Sequence, residues 1–534
     1  MKFAKSLFFA FVILCLASRG LADEGHQHPS GNLEKVGTVH FPISCNAEVQ
    51  QPFERAVALL HSFWFQEANK GFVSVTQMDP DCAMGYWGVA MSLWYPLWEH
   101  PSEAMLKQGV AAIEKAKAVG AKSDRERDYI AAIEAFYKDS DKLDHRTRAL
   151  AYEKAMEHVY LRYPEDHEAA VFYALALNAT ALPTDKTYAN QKKAGAILEK
   201  VFAKEPDHPG VAHYLIHSYD SPSLASRALV AARSYAKIAP SVPHALHMPS
   251  HIFTQLGLWQ ESIESNRASA AAAKDHASWR DRLHAMQYLE YAYLQSGQEV
   301  EAKRVLDELN AIGQVEAENR GTSYAFAMIP ALYTLERRRW SEAASLQPRP
   351  SHSLYTEAIT YFARALGSAR SGDTAQARAD IEKLQSLRDA LLQAQENYWP
   401  DYVEVQRRAA AAWLAFAEGK NEEALQLMRS AADLEDSTGM IATTAVPILP
   451  AHELLGDLLL ELHEPAPALH EFETALQMSP HRFNGLYGAA RAAQLAGDAE
   501  KARTYYAQLV ALCDRADGAR TELAEARMFL TKRQ

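Results

Sequence analysis

The sequence predicts an all-α chain built as a solenoid of helical hairpins, and three observations carry that prediction. From Ala47 onward, apolar and small residues recur at helical spacing in one segment after another. Alternating Val, Ile and Thr runs between Asn-Gly or Asp-Gly turns are nearly absent, which removes the strand signal. Small, large and proline positions return in one register at a period of about 34 residues. A chain of 534 residues would otherwise suggest three or four domains, at roughly 150 residues each. With 48% hydrophobic and 23% charged residues there is ample material for a core. The net charge of −12 argues against nucleic acid or an anionic membrane as the main partner.

Residues 1–22 have the layout of a secretory signal. Lys2 and Lys5 form a basic start, and Ser6 to Ala17 is apolar but short for a bilayer. Gly20-Leu21-Ala22 then offers a small-x-small cleavage site before Asp23. A retained anchor is the alternative. The mature chain is expected to be secreted or periplasmic, with no stable membrane insertion after cleavage. Residues 23–46 form a lead-in. Its first part, to Gly37, is polar and aperiodic, so His26 and His28 are expected on an exposed tail. Cys15 leaves with the signal, and Cys45 with Cys82 is expected to form a disulfide in an oxidising compartment, against the alternative of two free thiols. The repeat register puts both at the same end of one hairpin. Cys513 is expected to be a lone core residue.

The register is clearest late in the chain. Counted from Leu449, Leu455, Gly456, Leu459, Ala468, Phe472, Ala475 and Pro480 fall at positions 7, 8, 11, 20, 24, 27 and 32. Small residues at 8 and 20 let two helices approach, the large residue at 24 fills the gap, and proline stops the second helix. Ala56, Leu59, Ala68, Phe72 and Pro80 repeat the pattern from Val49, and Tyr86 and Ala90 continue it from Ala83. Gly297/Ala302, Gly372/Ala377 and Gly419/Ala424 imply repeats near Leu283, Ala358 and Val405, and another runs from Phe483. Segments 117–165 and 317–357 fit less well, and Gln347-Pro348-Arg349-Pro350 marks a loop. This pattern resembles the tetratricopeptide repeat. The resemblance implies a right-handed superhelical solenoid of about ten hairpins, here an array over 47–316 continuous with a second over 317–534. It also implies a concave face lined by positions 2, 5, 9 and 12 of each first helix.

Five of the 21 histidines, His213, His217, His244, His247 and His251, fall within 39 residues. Repeats starting at Pro209 and Pro243 put His213 and His247 at position 5, and His217 and His251 at position 9. His244 takes position 2 and Asp220 position 12. Residues three or four apart share a helix face, and neighbouring helices pack at about 8–10 Å. One ion is therefore expected among His213, His217, His247 and His251, with Asp220 and His244 as further ligands. Imidazoles with one carboxylate suit Zn, Cu or Fe rather than Ca or Mg. Peptide-contacting histidines, or a relic of duplication, are the bland alternatives, although HYLIHSYD and HMPSHIFT differ around the shared histidines. Pro249 either kinks this helix or starts a new one, which would leave His247 on a turn.

The groove is expected to continue along His284, Gln287 and Tyr291, and along an aromatic wall of Trp87 and Trp94 with Trp98 beyond. Core packing is the plainer reading of each Trp. Arg337-Arg338-Arg339 is expected on a solvated face. No hydrolase, phosphate-loop or dinucleotide signature stands in the sequence, so no catalytic residue is assigned. CAMGYWGVAMSLW, AHYLIHSYDSP and PHALHMPSHIFTQLGLW look like exported bacterial tetratricopeptide proteins known by their repeats alone. The expectation is thus an exported solenoid that binds a peptide, protein segment or small molecule in its groove beside a transition metal. A metal-dependent hydrolase or oxidoreductase and a metal-free interaction scaffold are the alternatives.

Overall fold

The computed structural model describes residues 34–531 apart from 98–99, 314, 316–318, 352, 397, 439–446 and 519. The expected signal at 1–22, His26, His28 and Trp98 lie outside the described residues. Lys35–Gln534 forms one compact unit. Among its described residues none is in a strand, and the helices follow one another as antiparallel pairs closed by short turns. The weak segment 117–165 still holds a hairpin, Asp124–Tyr137 with His145–Arg162. The second weak segment pairs Arg320–Leu335 with the short helix Trp340–Ala344, and the loop at 347–350 follows as the prolines require. No described helix is long and apolar enough to cross a membrane.

The repeat positions do the packing their residue types dictate. Phe472 lies between two glycines, one on its own hairpin and one on the next. A Cβ added to Gly456 would sit 2.9 Å from the Phe472 ring, and one added to Gly488 only 2.2 Å. Phe72 repeats the arrangement, 2.1 Å from a Cβ added to Gly88. A close-packed interior leaves no other room for the ring.

The lead-in is more than a tail. Ser241 N–H donates to the Lys35 carbonyl, Thr38 N–H donates to the Asp207 carbonyl, and Phe41 is fully buried. Phe41 sits against Phe53, Trp87, Tyr129 and Phe172, with ring centroids 5.0–6.5 Å away. These four residues stand on the first helices of four successive hairpins, so Phe41 occupies the inner face. The Cys45–Cys82 disulfide, with Cα atoms 5.0 Å apart, ties the lead-in to the second hairpin. Cys513 is buried and free.

The inner face therefore closes on itself. One buried apolar cluster runs from Val36 to Phe253, a second from Trp259 to Ala502, and a third, smaller one from Phe483 to Ala526. Arg482 is fully buried and reaches Tyr291, Glu336 and Glu453 at 2.8–3.2 Å, on the first helices of three earlier hairpins or their caps. The arginine run departs from its expected solvated face. Arg338 turns inward and donates to Asp457 at 2.9 Å, because the turn that carries it faces a hairpin more than a hundred residues later.

Candidate metal centre

Helix Pro209–Tyr219 begins with proline at its first turn, where no backbone donor is needed, and His208 Nδ1 accepts from Val211 N–H as its cap. The next first helix is broken by Pro249 into Pro243–His247 and Pro249–Gln255. The break is slight. Met248 keeps right-handed helical angles (φ −53°, ψ −35°) and donates to the His244 carbonyl, so His247 and His251 stay one turn apart on one face. His284 comes from Trp279–Gln295, the first helix of the following hairpin.

The histidines gather as two sets of three. His213, His217 and His244 form one, His247, His251 and His284 the other, and within each set the ligating nitrogens lie within 4.8 Å of one another. In the first, His213 Nε2 is 3.0 Å from His217 Nε2 and 3.1 Å from His244 Nε2. In the second, His247 and His251 approach Nε2 to Nε2 at 3.0 Å. The sets are neighbours, with His217–His251 and His244–His247 ring centroids 6.4 and 6.3 Å apart. Each set combines positions 5 and 9 of one repeat with position 2 of the next. Sequence reasoning placed one ion among four histidines and put His284 on a groove wall. The signal for two sets was present, because His284 repeats the position of His244.

The hydrogen bonds fix where the protons are. His213 Nδ1–H donates to the His61 carbonyl at 2.6 Å, and a carbonyl only accepts. His251 Nδ1–H donates to Asp220 Oδ2 at 2.7 Å. His247 Nδ1–H donates to Asn266 Oδ1 at 2.7 Å, with the amide oriented by its own bond to the Ser262 carbonyl. His284 Nδ1–H donates to Gln287 Oε1 at 3.2 Å, and the Gln287 amide nitrogen faces the Gly321 carbonyl. In its neutral form each of these imidazoles carries its proton on Nδ1 and leaves Nε2 to accept, and Tyr288 Oη stands 3.3 Å from His251 Nε2. Burial disfavours the charged form of five of the six rings. It pushes His213 and His284 down to about 3 and His217, His244 and His247 well below their ordinary range. His247 and His251, each donating from Nδ1, would face each other lone pair to lone pair at 3.0 Å when neutral and repel unless a cation lies between them, whereas in the first set His217 or His244 Nε2–H can donate to His213 Nε2. Two nitrogens about 2.0 Å from one tetrahedral ion would sit at roughly this spacing.

Asp220, expected as a ligand, is instead an outer support: Oδ2 accepts from His251 and Oδ1 from Gln255 at 3.1 Å. The expected groove wall is also corrected. Trp87 and Trp94 are each 1% exposed, because Phe41 packs on Trp87 and Tyr152 on Trp94 at 4.3 Å. Gln287 and Tyr291 are buried, the first behind His284 and the second beside Arg482. Open aromatic surface lies elsewhere. Phe63, in the turn of the first hairpin, stands 4.4 Å from His213 and 5.1 Å from Phe65, whose ring meets Tyr95 at 4.4 Å. All three are partly exposed, and so are His244 and His284.

A third cluster, with no counterpart among the expectations from sequence, joins His61, Glu168 and His208. Glu168 accepts from both imidazoles at 2.8 Å, His61 Nδ1 meets Tyr214 Oη at 3.0 Å, and all three residues are buried. Burial alone would raise the Glu168 carboxyl, but the two imidazoles outweigh it and hold the group well below the usual carboxylate range. Every nitrogen of the pair has a hydrogen-bond partner, so this cluster is a brace behind the first set. Cys45, Cys82 and Asp79 also cluster, but the disulfide has consumed both thiols.

No family model matches the chain, and no curated protein matches it in sequence. Solved structures do match. A tetratricopeptide repeat protein from Parabacteroides merdae is 14% identical, with 55% of this chain and all of that one covered at a TM-score of 0.29. Human IFIT1, a dimer with a capped RNA, is 11% identical over 80% of this chain and 90% of its own, at 0.33. Naa15/Naa10 bound to HypK is 14% identical over 90% and 73%, at 0.25. Among its described residues the chain is an all-α array of helical hairpins. What those proteins bind does not transfer at such similarity.

Proposed function

We propose that this solenoid is an exported metalloprotein, holding transition metal between the first helices of three successive hairpins. The observation that carries the proposal is the gathering of six imidazoles as two sets of three, with Nε2–Nε2 contacts of 3.0–3.1 Å inside them and Nδ1–H tied to acceptors on His213, His247, His251 and His284. Outer partners of this kind are how proteins orient metal-binding histidines. All-imidazole donors suit zinc, copper or iron. Export is supported by the layout of residues 1–22 and by the Cys45–Cys82 disulfide, a bond of oxidising compartments. That nucleic acid is not the partner rests on the acidic balance alone.

A catalytic role is favoured over a purely structural one by the donor count. Closed structural sites use four protein ligands, whereas three leave a position for water or substrate. Each set offers three, with its partly exposed member, His244 or His284, toward solvent. Phe63, Phe65 and Tyr95 supply an apolar lip beside the first set, which fits a small molecule or side chain of aromatic character. Elemental analysis of protein purified without a tag tests the proposal. Stoichiometric Zn, Cu or Fe is expected, lost in the His217→Ala, His251→Ala double variant at unchanged helicity. No metal, and no uptake on addition, would end the metal reading.

A further inference from the structure

We infer that the two histidine sets are half-sites of one dinuclear copper centre, the first on His213, His217 and His244 and the second on His247, His251 and His284. The pair rests on the metal proposal above and deepens it in three respects: how many ions, which element, and what they react with.

The number follows from geometry. The short Nε2 contacts fall inside each set, His213 with His217 and His244, and His247 with His251. Ring centroids across the sets stand 6.3–6.4 Å apart, a spacing also found within them for His217–His244 and His251–His284, so it is the short Nε2 contacts that divide the six. One ion cannot satisfy both groups of lone pairs, since an imidazole nitrogen binds at about 2.0–2.1 Å. The repeat supplies the doubling, because positions 5 and 9 with the next position 2 occur twice in succession.

The element follows from charge. Iron and manganese pairs in helical proteins are held by several carboxylates, and neither set contains one. Two divalent ions would bring four positive charges into a pocket of neutral imidazoles. Asp220 is hydrogen-bonded to His251, and the Arg280 guanidinium adds positive charge beside His244 and His284. Uncompensated charge in a buried site is expensive. Cu(I) halves the charge of the pair and accepts three imidazoles, and its oxidised form, Cu(II), binds nitrogen donors tightest of the divalent first-row ions.

The reaction follows from the pairing. Two one-electron ions side by side deliver two electrons to one small molecule such as dioxygen, and His244 and His284 are the partly exposed member of each set, through which it would arrive. Each Cu(I) gives one electron, dioxygen takes both with two protons from solvent, and the products are hydrogen peroxide and two Cu(II). An organic two-electron reductant of the phenol or catechol class, seated against Phe63, would return both ions to Cu(I) as it gives up two electrons and two protons.

The test is anaerobic titration of the full chain, stripped of metal, with Cu(I) against a chromophoric competitor, followed by admission of oxygen. Two equivalents per chain are expected. One is expected to remain in the His217→Ala, His244→Ala variant and one in the His251→Ala, His284→Ala variant, and that retained equivalent shows that each variant folds. Oxygen should release one peroxide per wild-type chain and none from either variant. A single equivalent, lost in both variants, would overturn the pair while leaving a metal site. Two tightly held zinc ions that Cu(I) cannot replace would overturn copper. Two Cu(I) without peroxide would overturn the oxygen step, and no metal of any kind would defeat this inference together with the proposal beneath it.

Discussion

At the scale of single residues, the structure assigns weight to side chains one layer behind the histidines. Asp220 holds the His251 proton on Nδ1 and so leaves Nε2 free to ligate. Asp220→Ala is therefore expected to weaken metal affinity by about 10–100-fold at unchanged helicity, read by competition with a chromophoric chelator. An unchanged affinity would mean that the carboxylate only packs. His452 shows opposite electrostatics. Burial pulls it down, but hydrogen bonds to Glu471 at 2.6 Å and Asp436 at 3.2 Å raise it from the ordinary 6.5 to about 9. The folded chain then keeps a proton that the unfolded chain loses above 6.5. The His452 contribution is full below pH 6.5 and fades as pH rises to about 9. Thermal unfolding across that window should show a fall in melting temperature that His452→Gln flattens. Much at this scale was legible in the sequence, since five of the six histidines in the two sets stood out as a local excess. His284 did not, because it lies outside the dense window and only the repeat position links it to His244.

At the scale of elements, the hairpin interface is set by a ring against a glycine. Gly88 and Gly488 occupy the same place relative to Phe72 and Phe472, and a Cβ at either would come within 2.1–2.2 Å of the ring. Gly88→Ala and Gly488→Ala should each cost about 1–3 kcal/mol in chemical unfolding, the usual cost of overpacking. Loss near zero would mean that the hairpins slide apart freely. The repeat register made these positions readable, because each residue type follows from a packing need that recurs along the chain. The lead-in was not readable in the same way. Residues 23–46 have no period, and the placement of Phe41 depends on four helices contributing Phe53, Trp87, Tyr129 and Phe172 to one pocket. The same closure explains why Trp87 and Trp94 are core residues and why the open aromatic surface is at Phe63. Pro249 proved compatible with either expectation: it breaks the hydrogen-bonded helix in two while the backbone continues nearly in line.

At the scale of the whole molecule, long-range polar contacts close each part of the solenoid, and these leave no trace in a periodic pattern. Arg482 bonds Tyr291 across 191 residues and Glu336 across 146. Arg482→Met would leave Glu336 and Glu453 buried without their cation, and a loss of about 3–5 kcal/mol is expected in equilibrium unfolding. Closure is also what takes the histidines out of water: His61, from the first hairpin, supplies the carbonyl that fixes His213 in the fifth. The fold thus assembles its candidate centre from residues that the repeat places in register and the superhelix then buries. The most direct measurement is an anomalous difference map from crystals of the metal-loaded protein, collected at the absorption edge of the bound element. A peak about 2.0–2.1 Å from the Nε2 atoms of His213, His217 and His244, with a second among those of His247, His251 and His284, is the predicted result. Peaks bound elsewhere, or none at either set, would contradict it.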